Sequence, residues 1–76
     1  MSKNNSVEIA YQNAKDLIDK KDYIQASEQL NEILKVFPNE LNSIYLLIDC
    51  YIKLNNPIKA LEFTHSALNI KNDDKK

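Results

Sequence analysis

Cys50 and His65 are the chain's single thiol and single imidazole. One of each cannot supply the four ligands of a structural zinc site. A catalytic cysteine needs an adjacent base and an electropositive, partly exposed setting. Around Cys50 stand Leu47, Ile48, Asp49, Tyr51 and Ile52 instead, so the thiol reads as a core group. His65, beside Ser66, falls on the polar side of its segment and reads as solvated. The 11 acidic residues are scattered, with Asp73 and Asp74 close to the end, which leaves no seat for paired acid–base chemistry. With no Gly there is no glycine-rich loop to cradle a phosphate. All ten basic residues are Lys, so the bidentate forks that arginine offers to carboxylates and phosphates are missing. A net charge of −1 without a basic block disfavours nucleic acid. The residue inventory points away from an enzyme, a cofactor, a metal or a small-molecule substrate.

The same inventory bounds the setting. Seventy-six residues make at most one domain, near the lower limit for burying a stable core. A lone Cys forms no internal disulfide, which suits a reducing, cytoplasmic compartment. The opening Met1–Ser6 lacks the apolar core of a secretory signal. The most apolar stretch, Ile44–Leu54, contains Asp49 and Lys53 and is too short to span a bilayer. No membrane association is expected.

Chemistry being absent, the elements themselves carry the information. Apolar residues recur at three- and four-residue spacing, and the scarcity of breakers suits uninterrupted helices. Four are predicted. The first covers Ser6–Lys20, with Asn5 as cap, Glu8 closing a capping box, and Ala10, Ala14, Leu17 and Ile18 facing inward. The second begins after Asp22, with Gln25 three residues on, and ends near Phe37 before Pro38. Its inward stripe is Ala26, Leu30, Ile33, Leu34 and Phe37. The third covers Glu40–Leu54 and closes on Asn55, which tolerates a left-handed backbone. The fourth is capped by Asn56, opens on Pro57, and runs to about Ile70 with Ala60, Leu61, Thr64, Ala67 and Leu68 inward. Residues 1–5 and Asn72–Lys76 are polar ends expected to fray.

These helices repeat. At an offset of 34 residues, Tyr11 falls on Tyr45, Ile18 on Ile52, Ile24 on Ile58, Ala26 on Ala60, Glu28 on Glu62 and Leu34 on Leu68. The organisation that follows is a polar leader over 1–6, one repeat over 7–40, a second over 41–74, and a polar tail over 75–76. Short connections make each repeat an antiparallel hairpin. Ala26 and Ala60 let the facing helices approach closely. Ala14 against Leu30 in one repeat, and Ile48 against Thr64 in the other, exchange large for small at nearly constant volume.

In these positions the chain resembles the tetratricopeptide repeat family. The family's 34-residue pattern places Trp-x-x-Leu-Gly-x-x-Tyr, then Ala-x-x-x-Phe, then Pro. The first repeat has Ala10, Asn13, Ala14 and Leu17, then Ala26 and Leu30, then Pro38; the second has Ile44, Leu47, Ile48 and Tyr51, then Ala60 and Thr64, then Asn72. The resemblance implies an all-α fold, two tandem helix hairpins in a short right-handed solenoid. It also implies a concave groove, lined by the first helix of each repeat, that holds a peptide or helix of a partner protein. The groove residues are then Tyr11, Lys15, Ile18, Tyr45, Asp49 and Ile52, flanked by Glu8, Asp19, Asn42 and Lys53, with Lys15 placed to pair with Asp49. The carboxylate clamp of the chaperone-binding members is not expected, because of the matching positions Tyr11, Lys15 and Leu46 only Lys15 is a cationic donor.

The two ends of the array differ. Asn13, Asp16 and Lys20 give the first helix a wetted outer face, whereas their counterparts Leu47, Cys50 and Leu54 are apolar. A terminal repeat requires such a face. The fourth helix shows the opposite, since Leu61, Phe63, Leu68 and Ile70 lack a following helix to cover them. Two functional readings result. The first is a non-catalytic adaptor that holds a partner segment in the groove. The second is a self-association module, a homodimer joined through the fourth helices, or a minimal repeat scaffold excerpted or engineered from a longer array.

Overall fold

The computed structural model describes residues 3–74 of the chain. Its elements are α1 (Lys3–Asp19), α2 (Tyr23–Val36), α3 (Leu41–Lys53) and α4 (Pro57–Asp74), with no strand among the described residues. Each helix packs chiefly on its neighbour in sequence. Two tandem helix hairpins result. Their Cα atoms fill a slab of 38 × 38 × 16 Å. The short dimension matches two helix layers whose axes lie about 10 Å apart.

The connections explain why the hairpins repeat. Lys21 and Asn55, one repeat apart, both adopt a left-handed backbone, with φ of 66° and 61°. Around each, the same pair of bonds closes the preceding helix. Lys21 N–H donates to Ile18 O and Asp22 N–H to Leu17 O; Asn55 N–H donates to Ile52 O and Asn56 N–H to Tyr51 O. This is the double closure that satisfies orphan carbonyls at a helix end. The next helix then opens on an Asx cap. Asp22 accepts from Gln25 N–H at 3.4 Å, and Asn56 accepts from Lys59 N–H at 3.3 Å. Asn55 was expected at such a position; Lys21 was not, because lysine pays the full Cβ penalty there.

Helices α1 and α4 are longer than the sequence predicted. Pro38, which has no N–H to donate, separates α2 from α3. Its counterpart at the 34-residue offset in the second repeat is Asn72, which lies inside α4. Without proline nothing stops the helix there. α4 therefore continues past Ile70 to Asp74, and α1 begins at Lys3 and runs through Asn5, which is not a cap. Residues 3–6 and 72–74 are helical rather than frayed; residues 1, 2, 75 and 76 of the leader and tail lie outside the described ones. α3 is capped by Glu40, whose carboxylate accepts from both the backbone N–H and the hydroxyl of Ser43 at 3.0 Å.

The core consists of Ala14, Ala26, Leu30, Ile33, Leu47 and Cys50. Ala26 and Ala60 are both buried, as the close approach of the facing helices requires. In α4 the inward stripe is Ala60, Phe63, Thr64, Ala67 and Ile70, and Leu61 and Leu68 do not belong to it. They are 57% and 54% exposed. Phe63 points inward to stack on Tyr51, with ring centroids 5.8 Å apart, so it does not extend the outer surface of α4. The burial that sequence reasoning gave to Leu61 and Leu68 belongs to this helix's other flank.

Candidate interaction surface

Tyr11, Lys15 and Ile18 share one face of α1, and Tyr45, Asp49 and Ile52 share the corresponding face of α3. The spacing i, i+4, i+7 places each trio in a single row. The two rows are not equally open. Tyr11 and Ile18 are half-buried and pack against the core cluster. Tyr45 and Ile52 are 43% and 59% exposed.

Lys15 does not reach Asp49. Its ammonium lies over the ring of Tyr11, 5.7 Å from the centroid, one helical turn back. The lysine stem can cover the tyrosine face while its charge stays in water. Among the described residues the ion pair formed is Lys35–Glu32, an exposed contact at 3.1 Å. Asp49 is therefore an exposed carboxylate between Tyr45 and Ile52. The start of α3 stands close to α1, where Tyr11, Val7 and Glu8 border a hollow of about 210 Å³ together with Glu40 and Asn42.

Cys50 and His65 sit where their sequence context placed them. Cys50 is fully buried, and burial, then the neighbouring Asp49 carboxylate, pushes its thiol up to about 11 from 9.0. Such a thiol is inert as a nucleophile at neutral pH. His65 is exposed. No cluster of three or more His, Cys, Asp or Glu residues among the described ones could hold a metal ion. No helix among them is long and apolar enough to cross a membrane.

The outward flank of α4 can be read against α2. Ser27, Asn31 and Leu34 occupy the positions that Leu61, His65 and Leu68 occupy one repeat later. Ser27 is buried, Leu34 is half-buried against the core, and the Asn31 amide donates to the Tyr51 hydroxyl of α3 at 3.1 Å. So α3 covers this flank of α2, while the same flank of α4 is open and presents Leu61 and Leu68, with Ile58 a turn away at 72% exposure. Ile70 is half-buried, nearer the hairpin than the open flank.

One feature escaped sequence reasoning. Where α1 begins and α2 ends, an open apolar pocket of about 300 Å³ is lined by Val7, Ala10, Ile33, Val36 and Phe37, with Ser6 and Glu32 at its rim. Its signal lay in the repeat offset, which sets Ala10 against Ile44. Comparison of the two hairpins by residue size, rather than by identity, would have found it.

The family profile described as tetratricopeptide repeat matches residues 17–76. That span begins inside α1 and covers the other three helices. No curated protein and no solved structure matches the chain.

Proposed function

Because the chain belongs to the tetratricopeptide repeat family, whose members are in general protein-interaction modules, we propose that it is a non-catalytic adaptor holding a peptide or helix of a partner protein. The observation that carries this reading is the exposure of Tyr45 and Ile52, 43% and 59%, two turns apart on one face of α3. An exposed tyrosine and isoleucine at helical spacing give a partner two apolar anchors, and Asp49 between them offers an acceptor for a donor of the partner. Tyr11, Lys15 and Ile18 form the second wall. The partial burial of Tyr11 and Ile18 favours a supporting role, with the exposed Lys15 free to leave the Tyr11 ring for an acidic group of the ligand.

The test is selection of a displayed random-peptide library on the chain, followed by affinity measurement with Tyr45→Ala and Ile52→Ala. Loss of about tenfold or more in affinity with an unchanged melting temperature is expected, since aromatic anchors dominate such interfaces. Selected peptides that bind both variants as well as the parent chain would overturn the reading.

A second reading, self-association, is favoured by the open flank of α4. Leu61 and Leu68 stand where α2 carries residues covered by α3, so a helix laid along α4 has a ready seat. A second copy could supply that helix about a two-fold axis. Phe63 and Ile70 would support this contact from behind.

A further inference from the structure

The open pocket at the end of the first hairpin is a place where the two repeats differ in volume. In the second repeat the larger Ile44 stands at the corresponding position and is 1% exposed, and the smaller Ala67 is buried on α4. In the first, Ala10 stands at the position of Ile44 and Ile33 at that of Ala67. Ile33 is buried and takes up part of the space from the α2 side. It does not take up all of it, for about 300 Å³ stays open between Val7, Ala10, Val36 and Phe37. Val36 at its edge is 68% exposed. Interiors tolerate few voids larger than water, and apolar walls hold water poorly.

Charge indicates what fits beside the pocket. A neighbouring hollow of about 230 Å³ is lined by Val7 and Phe37, shared with the pocket, and by Glu8 and Glu40. Glu40 is held in place by its two bonds from Ser43, and Glu32 on the opposite rim is paired with Lys35 at 3.1 Å. Glu8, exposed on α1, has no ionic partner among the described residues. An apolar recess thus adjoins a hollow that two carboxylates line.

We infer that this pocket is a docking site for a partner segment in which a branched or aromatic apolar side chain is followed by a lysine or arginine. The apolar side chain fills the space beside Ala10, the position that Ile44 holds one repeat later, and the cation lies between Glu8 and Glu40. The site is separate from the wall that carries Tyr45 and Ile52, and each can hold or fail without the other.

The experiment is an amide NMR titration of the full chain with a terminally blocked pentapeptide, a central Phe flanked by Lys on both sides. A single apolar anchor together with a cation set between two carboxylates supports a dissociation constant on the order of millimolar. Saturable shifts are expected at Val7, Ala10, Val36 and Phe37. They should vanish when the central Phe is replaced by Ala and weaken when the flanking Lys are replaced by Glu. Ala10→Ile, which fills the recess from within, should lower affinity about tenfold or more without lowering the melting temperature. Glu8→Gln should weaken binding and reduce its salt dependence. Unchanged affinity in Ala10→Ile, or shifts confined to Tyr45 and Ile52, would overturn the inference; the second result would leave the groove reading standing.

Discussion

The side-chain amide of Asn31 donates to the Tyr51 hydroxyl at 3.1 Å, and this bond ties the second helix of one repeat to the first helix of the next. Asn31 also donates to the Ser27 carbonyl at 3.0 Å, which fixes its orientation along α2. Tyr51 in turn stacks on Phe63 of α4, with planes inclined by 13°. One tyrosine therefore links three helices. Tyr51→Phe retains the stack and removes the hydroxyl, and is expected to cost about 0.5–1.5 kcal/mol. A double-mutant cycle with Asn31→Ala, read by urea denaturation, should show coupling between the two positions. Strict additivity would mean that water satisfies the pair equally well.

Lys21 and Asn55 hold the same left-handed backbone with different aptitude for it. Asparagine tolerates that region, whereas lysine has no compensating local bond. Lys21→Gly should raise stability by about 0.5–1 kcal/mol, and Asn55→Gly should change it less. Equal effects at the two sites, measured by chemical denaturation, would contradict the account of the connections.

Ala60 is 7% exposed at the contact of α3 and α4, where a larger side chain has no room. Ala60→Leu should cost about 1–3 kcal/mol by overpacking. Leu61→Lys, one residue along on the open flank, should leave monomer stability within about 0.5 kcal/mol. If copies pair through α4, the same Leu61→Lys change should abolish any rise of melting temperature with protein concentration.

Cys50 gives a pH-dependent prediction. Its thiol is raised from 9.0 to about 11 in the folded chain. Between those values the unfolded chain has lost this proton while the folded chain retains it. Stability is then lost as pH rises through that window, and below it the thiol contributes no pH dependence. Cys50→Ala should flatten the decline above pH 9 relative to the parent chain. At pH 8 a thiol reagent should react with the unfolded chain and spare the folded one; rapid labelling under native conditions would contradict the burial of Cys50.

The helix hairpins were legible because period, caps and small residues all recur at one offset. Asp22 and Asn56, Ala26 and Ala60, and the buried Cys50 fall where their types require. The ends were misjudged because polar composition suggests fraying, whereas Asn72, standing where the first repeat has Pro38, keeps an N–H inside α4, and residues 3–5 contain no helix breaker. Leu61 and Leu68 misled for a different reason. Their flank is interior in α2 only because α3 covers it, and hydrophobicity alone does not reveal whether a neighbour exists. The rows expected to line a groove each fall on one face of α1 and of α3, while the greater openness of Tyr45 and Ile52 depends on tertiary packing that periodicity does not encode.

We propose the α3 face carrying Tyr45, Asp49 and Ile52 as the partner-binding surface. Amide NMR shift mapping with a library-selected peptide is the decisive measurement. The largest shifts are predicted at Tyr45, Asp49 and Ile52, with smaller ones at Tyr11, Lys15 and Ile18. Shifts concentrated at Leu61 and Leu68 of α4, with the α3 face unmoved, would contradict this proposal.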